Sequence, residues 1–82
     1  MSISKVEFMN YIKNKIINMN STYLDINSGV IHRDIGDYPG KNHRMPSCCL
    51  AMRALMIEGD IIVEEPEKGF GANFTIRYYN RT

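Results

Sequence analysis

The fold is decided by SCCLAMRALMIEGDIIVEEPEKGFGANFTIRYY, residues 47–79. Its first part, 47–58, is rich in helix-forming and apolar residues and stops at Gly59, which suits the left-handed backbone position past a helix end. The β-branched run 61–63 and the alternation of apolar and polar residues over 73–79 then predict two strands. The charged connection between them is too long for a two-residue turn. The pattern therefore predicts a helix, a strand, a long loop and a second strand paired antiparallel to the first.

The apolar spacing in this stretch also predicts which side chains are buried. Pro46 is tolerated in the first turn of a helix and Ser47 is an alternative N-cap, so the helix is expected to begin near 46–48. The side chains expected to face the core are Cys48, Ala51, Met52, Leu55, Phe74, Ile76 and Tyr78. The residues that alternate with those of the last strand are expected on its opposite face.

The N-terminal part of the chain has the pattern of an amphipathic helix. Ser4 and Glu7 are spaced as a capping box, in which each side chain satisfies a backbone N–H at a helix start. Apolar residues follow at spacings of four and three, at Phe8, Ile12, Ile16 and Met19. A helix over about 5–18 is therefore predicted, and the Asn-Ser pair at 20–21 is expected to end it.

The stretch 20–46 must also contain regular structure, because a structureless loop of that length is uncommon in so small a domain. Residues 27–29, Asn-Ser-Gly, form a turn signal, and the β-branched pair Val30 and Ile31 follows it. We therefore predict a short strand near 29–32 and a helix of one to two turns near 33–37. The Pro-Gly pair at 39–40 is expected to break the chain after that helix.

Length and composition indicate one small globular domain spanning 1–82. The chain has 82 residues, 44% of them hydrophobic, and ten Lys and Arg against nine Asp and Glu leave a net charge of +1. A domain of this charge lacks the strongly basic balance of a non-specific nucleic-acid binder, so any such activity must come from charge placement. No membrane span or signal peptide is recognisable, and a cytoplasmic location is expected.

Basic and polar side chains cluster in front of the helix that begins near 46–48. Such residues can hold phosphates and meet base edges when the following helix enters a DNA groove. The candidate nucleic-acid-binding residues are Lys41, Asn42, His43, Arg44, Ser47, Arg53 and, in the long loop, Lys68. Glu64, Glu65 and Glu67 in that loop would be repelled by phosphates, which favours a protein partner or a loop directed away from DNA. A solvated loop without a ligand is the alternative interpretation of the cluster.

Metal binding and catalysis are weaker interpretations of the same region. His32, His43, Cys48 and Cys49 carry the donor atoms that zinc uses, but adjacent cysteines lack the spacing of two to four residues typical of paired ligands. Cys48 near a helix start and His43 as a base would need a third, orienting group, and none is recognisable. We therefore expect reduced, metal-free cysteines in a protein that is not an enzyme and has no cofactor.

From 29 through 79 the chain resembles a winged helix-turn-helix domain. The segment IHRDIG, 31–36, resembles the short second helix that precedes a recognition helix in that family. The segment RALMIEGD, 53–60, is similar to the family's frequent ending, an apolar helix followed by Glu-Gly and a strand. The resemblance implies an α+β winged-helix fold of order α-β-α-α-β-β with a C-terminal β-hairpin wing.

The same resemblance implies a non-catalytic DNA-binding module, such as a small transcriptional regulator. The small size and the Asn-rich start are compatible with a phage or mobile-element accessory protein. The expected partner is duplex DNA, with a homodimer or a larger protein assembly supplying affinity, and no membrane or small-molecule cofactor is expected. The alternative is a protein–protein interaction module on the same scaffold, which the near-neutral charge and the acidic loop favour.

Overall fold

The computed structural model describes residues 4–36, 44–67 and 69–81. These residues form the helices and strands α1 (Lys5–Ile17), β1 (Tyr23–Asn27), α2 (Ser28–Ile35), α3 (Met45–Ala54), β2 (Ile61–Glu64) and β3 (Thr75–Tyr79). The strands make one antiparallel sheet in which β3 lies between β1 and β2. The predicted α+β class and the predicted order of elements are both observed. In the described part of the chain, no helix has the length and apolar character needed to cross a membrane.

Helix α1 begins and packs as its sequence predicts. The Ser4 hydroxyl accepts a hydrogen bond from the Glu7 backbone N–H at 3.2 Å, and the Glu7 carboxylate accepts one from the Ser4 N–H at 3.4 Å. This capping box satisfies two N–H groups that a helix start leaves without partners. The helix buries Phe8, Ile12 and Ile16 in the core, which confirms the predicted apolar face for these three residues, whereas Met19 lies beyond the helix and is only partly buried.

The strand predicted near 29–32 is wrong, because the chain is helical there. The strand lies earlier, at Tyr23–Asn27, and α2 starts at Ser28. The Asn27 side chain accepts a hydrogen bond from the Val30 N–H at 3.1 Å, so Asn27 is the N-cap of α2. Asparagine favours both turns and N-caps, and in this position it initiates a helix.

The start of α2 is fixed by the connection between β2 and β3. The N–H groups of Ser28 and Gly29 donate to the carbonyls of Phe74 and Ala72 at 2.8 and 3.1 Å. A Cβ on Gly29 would lie 2.8 Å from the Ala72 oxygen, so this approach requires glycine. These long-range bonds take up N–H groups that the first turn of a helix cannot satisfy itself.

Helix α3 starts near the predicted place but ends four residues early. Pro46 lies in its first turn as expected, whereas Ser47 is not its N-cap, since Arg44 occupies that position. The helix ends at Ala54. Gly59 does adopt a positive φ of 99°, but it lies in a separate turn beyond the helix.

The end of α3 is set by side chains from the C-terminal part of the chain. The Tyr78 hydroxyl donates to the Met52 carbonyl at 2.6 Å, and the Arg81 guanidinium donates to the Leu55 carbonyl at 2.9 Å. Burial raises the pKa of Tyr78 well above its ordinary value, so the hydroxyl keeps its hydrogen for this bond. These partners satisfy carbonyls that a longer helix would have used for its next turn.

The core lies between the helices and the inner face of the sheet. Phe74, Ile76 and Tyr78 are fully buried there, which confirms the predicted alternation along β3. The remaining core residues are Phe8, Ile12, Ile16, Ile26, Ile31, Met45, Cys48, Cys49, Ala51 and Met52. Leu55, which was expected in the core, is only partly buried because it follows the last turn of α3. Strand β2 pairs with β3 as predicted, with an irregularity between Ile62 and Glu64.

Candidate functional site

The junction between α2 and α3 is organised by His32, whose side chain is fully buried. Its Nδ1 lies 2.9 Å from the Gly36 carbonyl oxygen, and its Nε2 lies 2.7 Å from the Arg44 backbone nitrogen. A carbonyl accepts and a backbone N–H donates, so these partners assign the neutral imidazole with its hydrogen on Nδ1. The ring thereby connects the end of α2 to the residue that begins α3. The edge-to-face contact with Phe8, with ring centroids 4.9 Å apart, holds the imidazole from the side of α1.

Gly36 gives this junction its geometry. Its φ of 125° lies in the region that favours glycine, and its N–H donates to the His32 carbonyl at 2.9 Å. In that conformation its own carbonyl accepts from the His32 ring. Gly36 and Arg44, the residues that flank positions 37–43, are therefore both bonded to one buried side chain.

The structure brings together only some of the residues predicted to bind nucleic acid. Arg44 is exposed at the N-cap of α3, and Ser47 is half-buried in the first turn of that helix. The Arg44 side chain makes no capping hydrogen bond in the described residues. Four further predicted residues lie outside the described residues, namely Lys41, Asn42, His43 and Lys68. The first three of them directly precede Arg44 in the sequence.

Arg53 lies at the opposite end of α3 from Arg44. The two residues are nine positions apart, which is roughly 13 Å along a helix that rises about 1.5 Å per residue. The Arg53 guanidinium forms an ion pair with Glu65 and lies 4.6 Å from the centre of the Phe74 ring. Because both members of the ion pair are partly exposed, the pair contributes at most about 1 kcal/mol to stability. A phosphate could replace Glu65 at small cost.

The outward face of α3, formed by Pro46, Leu50 and Ala54, is apolar. Leu50 is 43% exposed, and just beyond the helix Ile57 is 54% exposed. Side chains that read base edges well, such as Arg, Asn and Gln, do not occur on this face within Met45–Ala54. An apolar helix face next to a polar surface is a feature of protein-docking surfaces.

The connection between β2 and β3 is anchored to the helices. The Gly71 carbonyl accepts hydrogen bonds from the Ser28 hydroxyl and from the Cys49 thiol. The bonds from Ser28 and Gly29 to Phe74 and Ala72 fasten the same stretch. Its exposed acidic residues are Glu65 and Glu67, and the exposed Glu64 precedes them at the end of β2. Part of the predicted wing therefore packs against the body of the domain and carries negative charge.

The two cysteines are buried thiols within the core. Both are completely inaccessible, and the Cys48 thiol lies 3.6 Å from the Ser28 carbonyl. Burial, assisted by the neighbouring Cys49, raises the pKa of the Cys48 thiol to about 12. The thiol therefore stays protonated well above neutral pH, as is typical of a buried structural cysteine. Within 4–36, 44–67 and 69–81, no group of three or more residues is arranged to hold a metal ion.

Three arginines of the C-terminal part are satisfied by carboxylates of the same domain. Arg53 pairs with Glu65, Arg77 pairs with Asp25, and Arg81 pairs with Asp60. The hydrogen bond from Arg77 lowers the pKa of Asp25 below its ordinary value. These pairs engage three arginines within the fold, whereas Arg44 is exposed at the start of α3.

Sequence reasoning did not identify two residues that organise these surfaces. The sequence presents His32 as a possible metal donor, whereas in the structure it lies on the buried face of α2, four positions before Gly36, and has a structural role. Asp60 has a side chain that is 1% exposed and accepts hydrogen bonds from the N–H groups of Ile57 and Tyr79, both at 2.9 Å.

Comparison with protein-family models, curated proteins and solved structures finds no significant match to this chain.

Proposed function

We propose that this protein is a non-catalytic DNA-binding module of winged-helix type, in which α3 is the recognition helix. Support for this architecture comes from the order α1-β1-α2-α3-β2-β3, the central position of β3, and the helix pair α2 and α3 that precedes the hairpin. The proposal depends most on the start of α3. There the exposed Arg44 directly follows Lys41, Asn42 and His43 in the sequence. Gly36 and Arg44, which flank positions 37–43, are both bonded to His32.

The start of α3 suits an anion for two physical reasons. The first N–H groups of a helix have no partner within that helix, and the helix dipole places partial positive charge at the same end. Because Pro46 has no N–H and the Arg44 N–H donates to His32, the N–H groups in question are those of Met45 and Ser47, and Arg44 and Lys41 would hold a phosphate beside them. Asn42, His43 and Ser47 are of the types that hydrogen-bond base edges. A small regulator, or an accessory protein of a phage or mobile element, would use DNA contacts of this kind.

The charge distribution limits how tightly one domain can bind. Lys41, Arg44 and Arg53 would neutralise about three phosphates, each contributing a slope of about −0.9 to log K against log salt. The acidic residues of the β2–β3 connection oppose the same phosphates. Useful affinity would therefore come from a homodimer on two half-sites or from a larger assembly.

The test is a titration of fluorescent duplex DNA at low salt. We compare the wild type, the variant Lys41→Ala/Arg44→Ala/Arg53→Ala and a charge-matched control, Lys5→Ala/Lys13→Ala/Lys15→Ala, which removes three lysines from α1. The wild type and the control should bind at micromolar protein and low salt, and the first variant should bind much more weakly. Absence of wild-type binding at roughly tens of micromolar protein, or equal losses in both variants, would contradict the proposal.

A protein–protein interaction module is the second candidate, and the apolar outward face of α3 favours it. Leu50 is the central exposed residue of that face. Replacing it by lysine adds a cation, which should strengthen DNA binding if α3 lies against DNA and should weaken docking if an apolar protein surface covers it. The variant Leu50→Lys therefore separates the two functions in one titration, provided that its unfolding free energy equals that of the wild type.

A further inference from the structure

We propose that His32 is a positioning residue, which sets the place of the α3 start through the hydrogen bond that its Nε2 accepts from Arg44. This inference rests on the proposed function, because Arg44 and its neighbours are the DNA contacts of that proposal. It adds a residue that contacts no ligand, since the His32 side chain is fully buried.

The two hydrogen bonds of the imidazole have different roles. The bond to the Gly36 carbonyl spans four residues and stays within the end of α2. The bond from the Arg44 N–H spans twelve residues and joins two helices. Only the second bond can determine where α3 begins relative to α2, whereas the first orients the ring and fixes its tautomer.

Position of the α3 start matters because its ligand contacts are short-ranged. Hydrogen bonds to phosphates and base edges need donor–acceptor distances near 2.7–3.2 Å, so a shift of about 1 Å in Arg44 removes them. The N-cap position of α3 gets no side-chain capping bond from Arg44 itself within the described residues. The ring nitrogen of His32 is thus the buried acceptor that holds this backbone.

Two amide substitutions separate the two bonds. The oxygen of glutamine can take the place of Nε2, so His32→Gln can keep the bond from Arg44 and lose the one to Gly36. The amide nitrogen of asparagine can take the place of Nδ1, so His32→Asn can keep the bond to Gly36 and lose the one from Arg44. Both variants put a neutral amide in the same buried site, and each therefore serves as a control for the other.

The experiment measures DNA affinity, unfolding by urea and amide hydrogen exchange for the wild type and both variants. We expect His32→Gln to bind DNA within about threefold of the wild type, and His32→Asn to bind about tenfold or more weakly, because it leaves the Arg44 N–H without its acceptor. The Arg44 amide should exchange faster in His32→Asn than in His32→Gln. Equal affinities and equal exchange rates in the two variants would overturn the proposal.

A spectroscopic measurement on the wild type covers the case in which the variants do not fold. Nitrogen-15 spectra of the His32 ring should show a protonated Nδ1 and an unprotonated Nε2 at neutral pH, and the opposite tautomer would overturn the proposal. If the wild type does not bind DNA at all, the proposed function fails by itself. The exchange rate of the Arg44 amide in the two variants then still decides whether His32 positions α3.

Discussion

At its C-terminal end α3 is fastened by side chains from later in the chain, whereas at its N-terminal end it is held by His32 from the preceding helix. The C-terminal end receives hydrogen bonds from Tyr78 and Arg81, and Arg53 in its last turn is paired with Glu65. At the N-terminal end the Arg44 backbone N–H donates a hydrogen bond to the buried Nε2 of His32. The polar groups of the C-terminal end are thus used to hold the fold together, whereas the N-terminal end combines a fixed backbone with an exposed cation.

From this difference we infer that the two ends of α3, Met45–Ala54, contribute differently to stability and to ligand affinity. Bonds at the C-terminal end should affect mainly the free energy of unfolding, because their partners belong to the core and to β3. Bonds at the N-terminal end should affect ligand affinity more than stability, because they position residues that face solvent. Pairs of similar substitutions, one near each end of α3, can test this difference.

The largest effect is expected when the buried face of α3 is changed, because the whole helix depends on its packing against the core. Met52 is completely buried, and Met52→Ala should lower the free energy of unfolding by about 2–5 kcal/mol through the cavity it leaves. Leu50→Ala on the outward face of the same helix is the control and should change it by less than about 0.5 kcal/mol. Urea unfolding measures both. A similar loss in the two variants would show that α3 does not pack as described.

A smaller effect that separates the two ends is expected from a pair of glycines. Gly36 and Gly59 have φ values of 125° and 99°, and a Cβ at either would meet no atom within 4 Å. Each change to alanine should therefore cost about 1–3 kcal/mol of stability for backbone conformation alone. Only Gly36→Ala also displaces the carbonyl that orients the His32 ring and fixes its tautomer. A misoriented ring no longer presents Nε2 to the Arg44 N–H, so only this variant should weaken DNA binding when equal amounts of folded protein are compared. Equal DNA affinities in the two variants would remove the distinction between the ends.

Local patterns were sufficient for the parts of the fold that depend on neighbouring residues. The capping box of Ser4 and Glu7 and the alternation through Phe74, Ile76 and Tyr78 correctly predicted α1 and the buried face of β3. Such patterns involve residues two to four positions apart, so they can be recognised without knowledge of the fold.

Long-range bonds explain the predictions that were wrong. The start of α2 depends on carbonyls of Ala72 and Phe74, more than forty residues away, and the end of α3 depends on Tyr78 and Arg81, twenty-six residues from the carbonyls they bind. Nothing near Leu55 in the sequence indicates its partners. At the start of α2 a local signal did exist, since Asn27 is a favoured N-cap residue, but the same residue also favours a turn. Part of α2 could therefore be mistaken for a strand at 29–32, and α3 could be extended to residue 58.

The candidate site was predictable only in part for the same reason. Arg44 and Ser47 could be placed near the start of α3 because Pro46 indicates a first helical turn. The ion pair of Arg53 with Glu65 could not be predicted, because it joins α3 to a loop whose path depends on the whole sheet. The bonds of His32 depend equally on the distance between two helices.

The smallest effect concerns Arg53, the predicted contact that lies at the C-terminal end. Glu65→Gln breaks its ion pair and should change the free energy of unfolding by less than about 1 kcal/mol, since both side chains are partly exposed. If α3 lies along DNA, the released guanidinium can meet a phosphate, and affinity at low salt should rise by about two- to fivefold. Glu67→Gln removes the same charge from an exposed residue of the same loop and is the control.

The comparison of these two variants decides whether the C-terminal end of α3 reaches the ligand. A larger rise for Glu65→Gln, absent when Arg53→Ala is combined with it, would extend the binding surface along the whole helix. Equal rises in DNA affinity for Glu65→Gln and Glu67→Gln would mean that the affinity depends only on the net charge of the loop. In that case the ligand is confined to the end of α3 that His32 holds, and Arg53 stabilises the fold alone.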